Sequence, residues 1–374
     1  MSTVGILGAG ELGRMLALAG YPLGLRFRFF DPAFDAPAAW LAEQVRADYT
    51  DENALQQFAK GIDLVTYEFE NVSLQAAQYL NRFVPVYPPP RALEAAQDRL
   101  SEKILFQELG IPTPVFAALE TPGELGTTLQ KVGLPAVLKT RRFGYDGKWQ
   151  AVLRNPEDAA PAWQQLGGAP LVLESWVPFQ RELSILACRG QDGATVFYPL
   201  VENYHREGIL RLSLVPAREV SPELQRLAES YALALMERLD YVGVLAIELF
   251  EVGRELLANE MAPRVHNSGH WTIEGAETSQ FANHLRAVLG WPLGSTAARG
   301  WAAMINLVGS LPQPEYILAL PGVFLHLYDK ACRPGRKLGH ITVCAPTCAE
   351  LKATLAGLQK ILQLPELDLF INGD

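Results

Sequence analysis

The feature that most restricts the possible folds of this chain is the alternation of short apolar strands with helical segments near its N-terminus. Residues 3–7 (TVGIL) form an apolar run, the glycine turn GAGELG follows at 8–13, and LGRMLALAGYPLG then has apolar residues at helical spacing. Further strands are predicted at 26–31 (RFRFFD) and 64–70 (LVTYEFE). Strands that alternate with helices pair in parallel, so the pattern predicts a doubly wound parallel sheet.

Breaks rich in proline and glycine divide the rest of the chain. PVYPPPRAL at 85–93 interrupts regular structure, a helix is predicted at 95–109, and GIPTP follows it. Short strands at 134–139, 149–153 and 171–177 then predict a small α+β unit. A helix with Ser221 as N-cap and Pro222 at its first position precedes two strands joined by a turn near Gly253. We therefore expect an α/β and α+β multidomain protein, divided at residues 1–95, 96–185 and 186–374, the last with a small C-terminal extension.

Charge and composition exclude several classes of function. The 374 residues carry a formal net charge of −9, which argues against a nucleic-acid-binding protein, because such proteins need a basic surface. The sequence has no apolar run of about 18 residues and no basic segment before its first strand, so we expect neither a membrane span nor a signal peptide. Four cysteines, without a second Cys/His pair at zinc spacing, are typical of a reduced cytoplasmic protein.

The glycine turn at Gly8, Gly10 and Gly13 has the spacing GxGxxG between a strand and a helix. Its amides could bind an anion at the helix N-terminus. A nicotinamide-dependent dehydrogenase would also need an acid for the ribose, and Asp31 is a candidate. The motif alone is a weak signal, and a tight turn that shapes the site of another ligand is the favoured interpretation.

A stronger indication comes from Glu248 and Glu260. If the two strands pair about a turn centred at residue 254, these carboxylates lie directly opposite each other on one face of the sheet. Like charges so placed repel unless a divalent cation lies between them, and Mg²⁺ prefers carboxylate and phosphate oxygens. The alternative is an edge hairpin whose glutamates both face water. Asn259 offers a further neutral oxygen and favours the metal.

The segment MAPRVHNSGHW at 261–271 follows directly. Arg264 could bind an anion through two parallel hydrogen bonds. His266 and His270 could carry protons or donate hydrogen bonds, although a structural role is about as probable for each. A metal site made of both histidines lacks carboxylates in the same loop.

Two basic segments suit phosphate groups. Lys139 ends an apolar strand, and RRFGYDGK at 141–148 adds cations, two glycines for close backbone approach and Asp146, so this segment could contact nucleotide phosphates. Near the C-terminus the segment 329–340 (DKACRPGRKLGH) could form a cradle for a monophosphate. A solvent-facing charged hairpin and a plain solvated loop are the respective alternatives.

Together these segments resemble the 5-(carboxyamino)imidazole ribonucleotide synthases of the ATP-grasp superfamily. The resemblance runs the length of the chain, and its most specific part is NEMAPRVHNSGHWT at 259–272. Its other parts are GAGELGRM at 8–15, TYEFENV at 66–72, RRFGYDGK at 141–148, LVLESWV at 171–177 and RPGRKLGH at 333–340. The resemblance implies an ATP-grasp fold of three domains, with ATP held between the middle and the C-terminal one, and a homodimer.

The resemblance also implies the site residues. Glu248 and Glu260 would bind Mg²⁺. Contacts to ATP would come from Arg99, Lys139, Gly144, Tyr145, Asp146, Gly147, Lys148, Trp149, Gln150, Glu174, Ser175, Trp176, Val177, Glu182, His205, Asn259 and Glu260. Contacts to the aminoimidazole ribonucleotide would come from Gly10, Glu11, Leu12, Glu70, Tyr145, Asp146, Arg264, His266, Asn267, Lys330, Arg333, Arg336 and Lys337.

The implied reaction has two steps. Bicarbonate attacks the γ-phosphate of ATP to form carboxyphosphate, whose breakdown delivers carbon dioxide to the exocyclic amine of the ribonucleotide. Metal and cations would stabilise the developing charge, and a lid would exclude water. We expect Asp146 to manage the amine proton, and Lys330 and Arg264 to stabilise the anionic intermediate. One departure is Trp149, where the family commonly has a glycine that could adopt a positive φ.

Three alternatives stay open at this point. Another ATP-grasp enzyme, such as a formate-using glycinamide ribonucleotide transformylase, would differ in its acyl donor. A nicotinamide-dependent dehydrogenase would leave the carboxylate pair and the basic C-terminal segment without a purpose. A non-catalytic nucleotide sensor is disfavoured by the presence of Lys139, Glu248 and Glu260, because a degenerate relative can lose them without unfolding.

Overall fold

The structure is a computed structural model that describes residues 2–144, 149–167 and 170–372. Its N-terminal part is built on a parallel sheet with the strand order β3-β2-β1-β4. The strands are β1 (Thr3–Leu7), β2 (Arg26–Phe30), β3 (Glu43–Val45) and β4 (Leu64–Tyr67), and the helices are α1 (Glu11–Gly20), α2 (Glu52–Ala59), α3 (Leu74–Leu80) and α4 (Pro90–Ala96). Separate apolar clusters pack on the two faces of the sheet. The predicted doubly wound parallel sheet is therefore confirmed.

Several boundaries in this part differ from the sequence-based prediction. β4 ends at Tyr67 instead of residue 70, so Glu68 and Glu70 lie in the segment that follows the strand. The helix predicted at 95–109 is two helices, α4 and α5 (Arg99–Glu108). α4 begins inside the proline-rich break, because Pro90 occupies the first helical position, where no backbone N–H is needed.

The middle part is an antiparallel sheet of four strands in the order β5-β8-β6-β7. Its strands are β5 (Phe116–Leu119), β6 (Ala136–Thr140), β7 (Gln150–Leu153) and β8 (Leu171–Ser175), with helices α6 (Leu125–Val132) and α7 (Ala159–Gln165) packed on its apolar face. The three strands predicted here are present, and β5 is an additional one. The described loop residues 141–144 follow β6.

The C-terminal part contains a sheet of nine strands in the order β14-β13-β9-β11-β12-β15-β17-β16, with β10 beside β9. The strands are β9 (Arg181–Arg189), β10 (Thr195–Phe197), β11 (Val201–Arg206), β12 (Ile209–Val215), β13 (Gly243–Val252), β14 (Glu255–Ala262), β15 (Trp301–Val308), β16 (Val323–Leu327) and β17 (Lys337–Ala345). The helices are α8 (Pro222–Arg238), α9 (Thr272–Gly275), α10 (Gln280–Val288), α11 (Pro314–Leu318), α12 (Cys348–Leu362) and α13 (Pro365–Asn372). β14 is thus an edge strand.

Local signals explain α8, the helix that precedes the hairpin of β13 and β14. Ser221 Oγ accepts a hydrogen bond from the Leu224 N–H at 3.2 Å, and Pro222 occupies the first position of α8, as predicted. The expected boundary between residues 185 and 186 lies inside β9, which belongs whole to the nine-stranded sheet; the three-domain division stays a prediction. Among the described helices, none combines the length and the apolar character that crossing a bilayer requires.

Candidate active site

A cavity of about 900 Å³ lies where the three parts of the chain meet. Its wall includes the segment after β4, the N-terminal turn of α5, the strands β6, β9, β11, β13 and β14, and the segment 330–337. The cavity is the region where the residues proposed for ATP, metal and ribonucleotide could act together.

The acidic pair lies on this wall, and Glu248 faces Glu260 across the two strands as predicted. The turn, however, is centred between Gly253 and Arg254, because Val252 pairs with Glu255. Continued regularly, that register would set Glu248 opposite residue 259 and turn Glu260 to the opposite face. A β-bulge between the pairs Leu249–Ala258 and Glu248–Glu260 inserts Asn259 as the extra residue and restores the facing carboxylates.

The electrostatics of the pair follow from its surroundings. Burial and the neighbouring charge of Glu260 raise the pKa of Glu248. Burial acts in the same direction on Glu260, but the charge and hydrogen bond of Arg99, whose Nη1 lies 2.7 Å from Glu260 Oε2, hold its pKa below the usual value. Beside them Asn259 Oδ1 is buried without a hydrogen-bond partner among the described residues. These oxygens suit a divalent cation that completes its shell with water or phosphate oxygens.

The described ranges contain no cluster of three or more Asp, Glu, His or Cys side chains that could hold a metal ion.

A buried cationic group lies next to the pair. Lys139 Nζ is 3.0 Å and Lys103 Nζ is 3.2 Å from Glu174 Oε2, and Lys103 is fully buried. Burial lowers the pKa of Lys139, although Glu174 opposes this effect. The Lys103 side chain also donates to the Asn259 carbonyl at 3.0 Å. Lys139 is therefore held at the cavity wall by a carboxylate beneath it.

Sequence reasoning missed Lys103 and Glu102. Glu102 Oε1 accepts a hydrogen bond from the Met261 N–H at 2.6 Å. The available signal was the spacing of Arg99, Glu102 and Lys103, since residues three and four apart share one face of a helix. That face of α5 lies against β14.

Two histidines lie near Glu248 of the acidic pair. His205 Nδ1 lies 2.8 Å from Glu182 Oε2; burial disfavours the charged imidazole, but the hydrogen bond to Glu182 and the charge of Glu248 raise the pKa of His205 overall. His266 Nε2 lies 3.4 Å from Glu248 Oε1, and burial with the nearby Arg264 lowers the pKa of His266 well below its usual value. The surroundings therefore favour the neutral form of His266 and the charged form of His205.

The glycine turn does not present a free anion site. The Glu68 carboxylate accepts hydrogen bonds from the N–H groups of Gly10 and Gly13, the latter at 2.6 Å. A Cβ atom at Gly8 or Gly10 would lie 2.5 or 2.6 Å from the Glu68 side chain, which is why this turn requires glycine. Asp31 Oδ2 accepts from the Ala9 N–H at 2.8 Å. An internal carboxylate thus satisfies the N–H groups of Gly10 and Gly13, so this motif gives the nicotinamide-dependent dehydrogenase no support.

The side of the cavity formed by the segment after β4 and by the segment 330–337 holds cations that are already paired. Arg264 forms an ion pair with Glu70, and Lys330 Nζ lies 2.8 Å from Glu11 Oε2. Burial opposes the charge of Arg264, but Glu70 raises the pKa of its guanidinium overall. Close partners of opposite charge hold these two side chains in place at the cavity wall.

The structure brings most of the predicted site residues to this one cavity. The lining includes Glu11, Leu12, Glu70, Arg99, Lys139, Gly144, Gln150, Trp176, Glu182, His205, Glu248, Asn259, Glu260, Arg264, His266, Asn267, Lys330, Arg333, Arg336 and Lys337. His270 also lines it. Of the predicted site residues that the structure describes, those absent from the lining are Gly10, Trp149, Glu174, Ser175 and Val177. Tyr145, Asp146, Gly147 and Lys148 lie outside the described residues, so the predictions made for them stay predictions.

Trp149 adopts a backbone conformation that favours glycine. Its φ is +61°, in the left-handed region, and 54% of the residue is exposed. The unusual residue at this position is therefore accommodated with local strain and with little packing in return.

Three family profiles match successive parts of the chain. They are the ribonucleotide synthetase preATP-grasp domain at residues 1–97, the ATP-grasp domain at 104–281 and the phosphoribosylaminoimidazole carboxylase C-terminal domain at 302–354. The N5-carboxyaminoimidazole ribonucleotide synthase of Pseudomonas aeruginosa is 53% identical over 360 residues, which cover 96% of this chain and 99% of that protein. The enzyme of the same name from Brucella melitensis is 43% identical over 351 residues, covering 92% and 97%.

Solved structures are similar over nearly the whole chain. The crystal structure of N5-carboxyaminoimidazole ribonucleotide synthetase from Thermus thermophilus superposes with a TM-score of 0.93 at 59% identity, covering 96% of this chain and 98% of that one. The Aspergillus clavatus enzyme, in complex with ADP and 5-aminoimidazole ribonucleotide, superposes with a TM-score of 0.90 at 32% identity, covering 97% and 98%.

Proposed function

Because the chain belongs to the N5-carboxyaminoimidazole ribonucleotide synthase family of the ATP-grasp superfamily, we propose that it carboxylates the exocyclic amine of 5-aminoimidazole ribonucleotide with bicarbonate. ATP is converted to ADP and phosphate in the same reaction. The chain is accordingly an ATP-dependent carbon–nitrogen ligase of purine biosynthesis. The observation that carries the proposal is the facing pair Glu248 and Glu260 on the wall of a cavity of about 900 Å³. Beside the pair lies Asn259 Oδ1, which has no hydrogen-bond partner among the described residues.

ATP occupies the side of the cavity formed by α5, β6, β9 and β11. Lys139 and Arg99 contact its phosphates, and the Glu182–His205 pair contacts its ribose or its phosphates. Support comes from their common placement on the lining and from the related Aspergillus clavatus enzyme, whose structure was solved in complex with ATP. Glu174 acts from beneath, because its carboxylate holds Lys139 at the wall.

Mg²⁺ is held by Glu248 and Glu260, with Asn259 as a further oxygen ligand. The buried Asn259 oxygen, to which no other described residue donates, and the two facing carboxylates fit such an ion, because Mg²⁺ is usually bound by one or two carboxylates together with substrate phosphates. When bound, the ion neutralises charge that develops on the transferred phosphoryl group.

The ribonucleotide occupies the side of the cavity formed by the segment after β4 and by the basic segment 330–337. Arg264 and Lys330 contact its anionic groups and stabilise the anionic intermediate, and Arg333, Arg336 and Lys337 form the phosphate cradle. Arg264 and Lys330 are each paired with a carboxylate, and this pairing keeps their side chains ordered while the site is empty. On binding, the substrate replaces the carboxylate.

The proposed chemistry begins with attack of bicarbonate on the γ-phosphate, which forms carboxyphosphate and releases ADP. Carboxyphosphate breaks down to carbon dioxide and phosphate, and the amine attacks the carbon dioxide and loses a proton. Asp146 is our candidate for the group that accepts this proton. A closed cavity matters here because water would hydrolyse carboxyphosphate before the amine captures its carbon dioxide. We further propose that the protein acts in the cytoplasm as a homodimer and requires neither nucleic acid nor a membrane.

The deciding experiment measures phosphate release from ATP in bicarbonate buffer with Mg²⁺, with and without 5-aminoimidazole ribonucleotide. We expect release to require all the components and to fall at least 100-fold in Glu248→Gln and Glu260→Gln, as is typical when electrostatic stabilisation of a transition state is lost. Glu223→Gln, an exposed substitution on α8, serves as control. Turnover with formate and glycinamide ribonucleotide, and none with bicarbonate, would favour the transformylase instead.

A further inference from the structure

The edge strand that carries Glu260 has polar backbone groups that the sheet does not satisfy. β14 pairs with β13 on one side only, and the bulge leaves Asn259 outside the ladder. Buried backbone N–H and C=O groups without partners are costly, and an open strand edge can also slip in register. Something other than the sheet must therefore hold this strand in place.

The outer edge is satisfied by α5 and by the loop after it. Glu102 Oε1 accepts from the Met261 N–H at 2.6 Å, Lys103 Nζ donates to the Asn259 carbonyl at 3.0 Å, and the Pro112 carbonyl accepts from the Ala258 N–H at 2.8 Å. Two of these contacts come from side chains that are adjacent in sequence. Lys103 contacts Asn259, the extra residue of the bulge, and Glu102 contacts Met261, which lies two residues further along the strand.

The two side chains that contact the bulge, those of Glu102 and Lys103, are almost completely buried. Lys103 is 0% exposed and Glu102 is 2% exposed. A lysine or a glutamate so buried is rare unless its polar atoms have partners, because moving a polar or charged group out of water is costly. Both therefore have their terminal atoms held at fixed positions, and they transmit that fixed position to the backbone of residues 259–261.

From these contacts we propose that Glu102 and Lys103 are positioning residues that clamp the bulge of β14 and thereby keep Asn259 and Glu260 on the cavity side, opposite Glu248. Without the clamp the bulge can move along the strand, and the regular register would turn Glu260 towards the apolar face that packs against α8. The consequence for metal binding rests on the proposed function of Glu248 and Glu260. The geometric consequence does not.

The first readout needs no metal. Hydrogen exchange of the segment 255–262 is measured in the metal-free protein for wild type, Glu102→Leu and Glu102→Gln. Leucine removes the acceptor at similar volume, whereas glutamine keeps an oxygen for the Met261 N–H, so exchange should be faster in Glu102→Leu only. Glu108→Leu is the matched control, because Glu108 is exposed on the same helix.

The second readout is the affinity for Mn²⁺ of the complete chain with a non-hydrolysable ATP analogue, measured by electron paramagnetic resonance. We expect a loss of about tenfold or more in Glu102→Leu, which is the usual cost of removing a residue that orients a metal ligand. Glu102→Gln should stay within about threefold of wild type. An equally weak Glu102→Gln would mean that the carboxylate acts on the metal by its charge, and the clamp would be rejected.

Unchanged exchange and unchanged Mn²⁺ affinity in a folded Glu102→Leu protein would also overturn the proposal. If that variant does not fold, Lys103→Met decides by hydrogen exchange alone, since it removes the donor to Asn259 but also one of the two lysines that pair with Glu174. A wild-type protein that binds no Mn²⁺ beside the nucleotide would refute the proposed metal site alone, and hydrogen exchange would still judge the clamp.

Discussion

Replacing Glu68 by alanine tests whether the glycine turn is filled by an internal carboxyl group. The carboxylate accepts hydrogen bonds from the N–H groups of Gly10 and Gly13, and Glu68 is 7% exposed. Alanine leaves two largely buried donors without a partner, and each costs about 1–3 kcal/mol. We therefore expect Glu68→Ala to lower the free energy of unfolding by about 4 kcal/mol at pH 6, measured by urea denaturation.

The size of this loss should depend on pH in a defined direction. Burial and the nearby charge of Glu11 raise the pKa of Glu68 to about 7, against an ordinary value of 4.5, although the two N–H groups oppose the shift. The folded protein thus retains the proton to a higher pH than the unfolded chain does. The contribution of Glu68 to stability falls as the pH rises from 4.5 to 7, by about 1.4 kcal/mol per pH unit. The loss in Glu68→Ala should therefore be smaller at pH 8 than at pH 6 by about 1.4 kcal/mol.

A rescue experiment isolates the cause. Acetate supplies the carboxylate that the substitution removes, and the position borders the cavity, so 50 to 100 mM acetate, on the order of a weak ligand's Kd, should stabilise Glu68→Ala more than wild type. Glu52→Ala, an exposed substitution on α2, is the control and should respond to neither pH nor acetate in this way. A Glu68→Ala protein as stable as wild type at pH 6, or one that acetate leaves unchanged, would refute the argument that this carboxylate satisfies the turn.

Three further predictions concern the site. Trp149→Gly should have a free energy of unfolding about 1 kcal/mol higher than Trp149→Ala in urea denaturation, because only glycine relieves the positive φ of 61°. Equal free energies would show that the backbone is not strained there. Glu182→Gln should lower the pKa of His205, visible in its ring resonances by NMR, because it weakens the partner that holds the imidazolium; an unchanged titration would contradict the pairing. Arg264→Lys should raise the KM for the ribonucleotide about tenfold while the KM for ATP stays constant, since lysine cannot form two parallel hydrogen bonds; equal changes in both constants would place Arg264 elsewhere in the mechanism.

Local patterns in the sequence were enough to predict much of the fold. Periodicity and turn chemistry, which act between near neighbours, predicted the alternation of strands and helices up to Tyr67, the cap at Ser221 and the strands β6 and β7. The facing of Glu248 and Glu260 was predicted from an assumed turn at residue 254. The turn lies half a residue earlier, and the bulge at Asn259 compensates for the difference. A visible trace of the bulge is the interrupted alternation of core residues Leu256, Ala258 and Met261.

Other features depend on contacts that no local pattern reports. The Glu68 carboxylate reaches Gly10 and Gly13 across 58 and 55 residues of sequence, and Lys103 reaches Asn259 across 156. From the sequence the glycine turn looked open to a phosphate, and Glu102 and Lys103 looked like ordinary charges on a helix. Residue type and spacing set which chemistry a chain can offer. Which buried charge meets which backbone group is set only when the sheets and α5 pack, because a donor is satisfied by whatever acceptor the tertiary structure brings within about 3 Å.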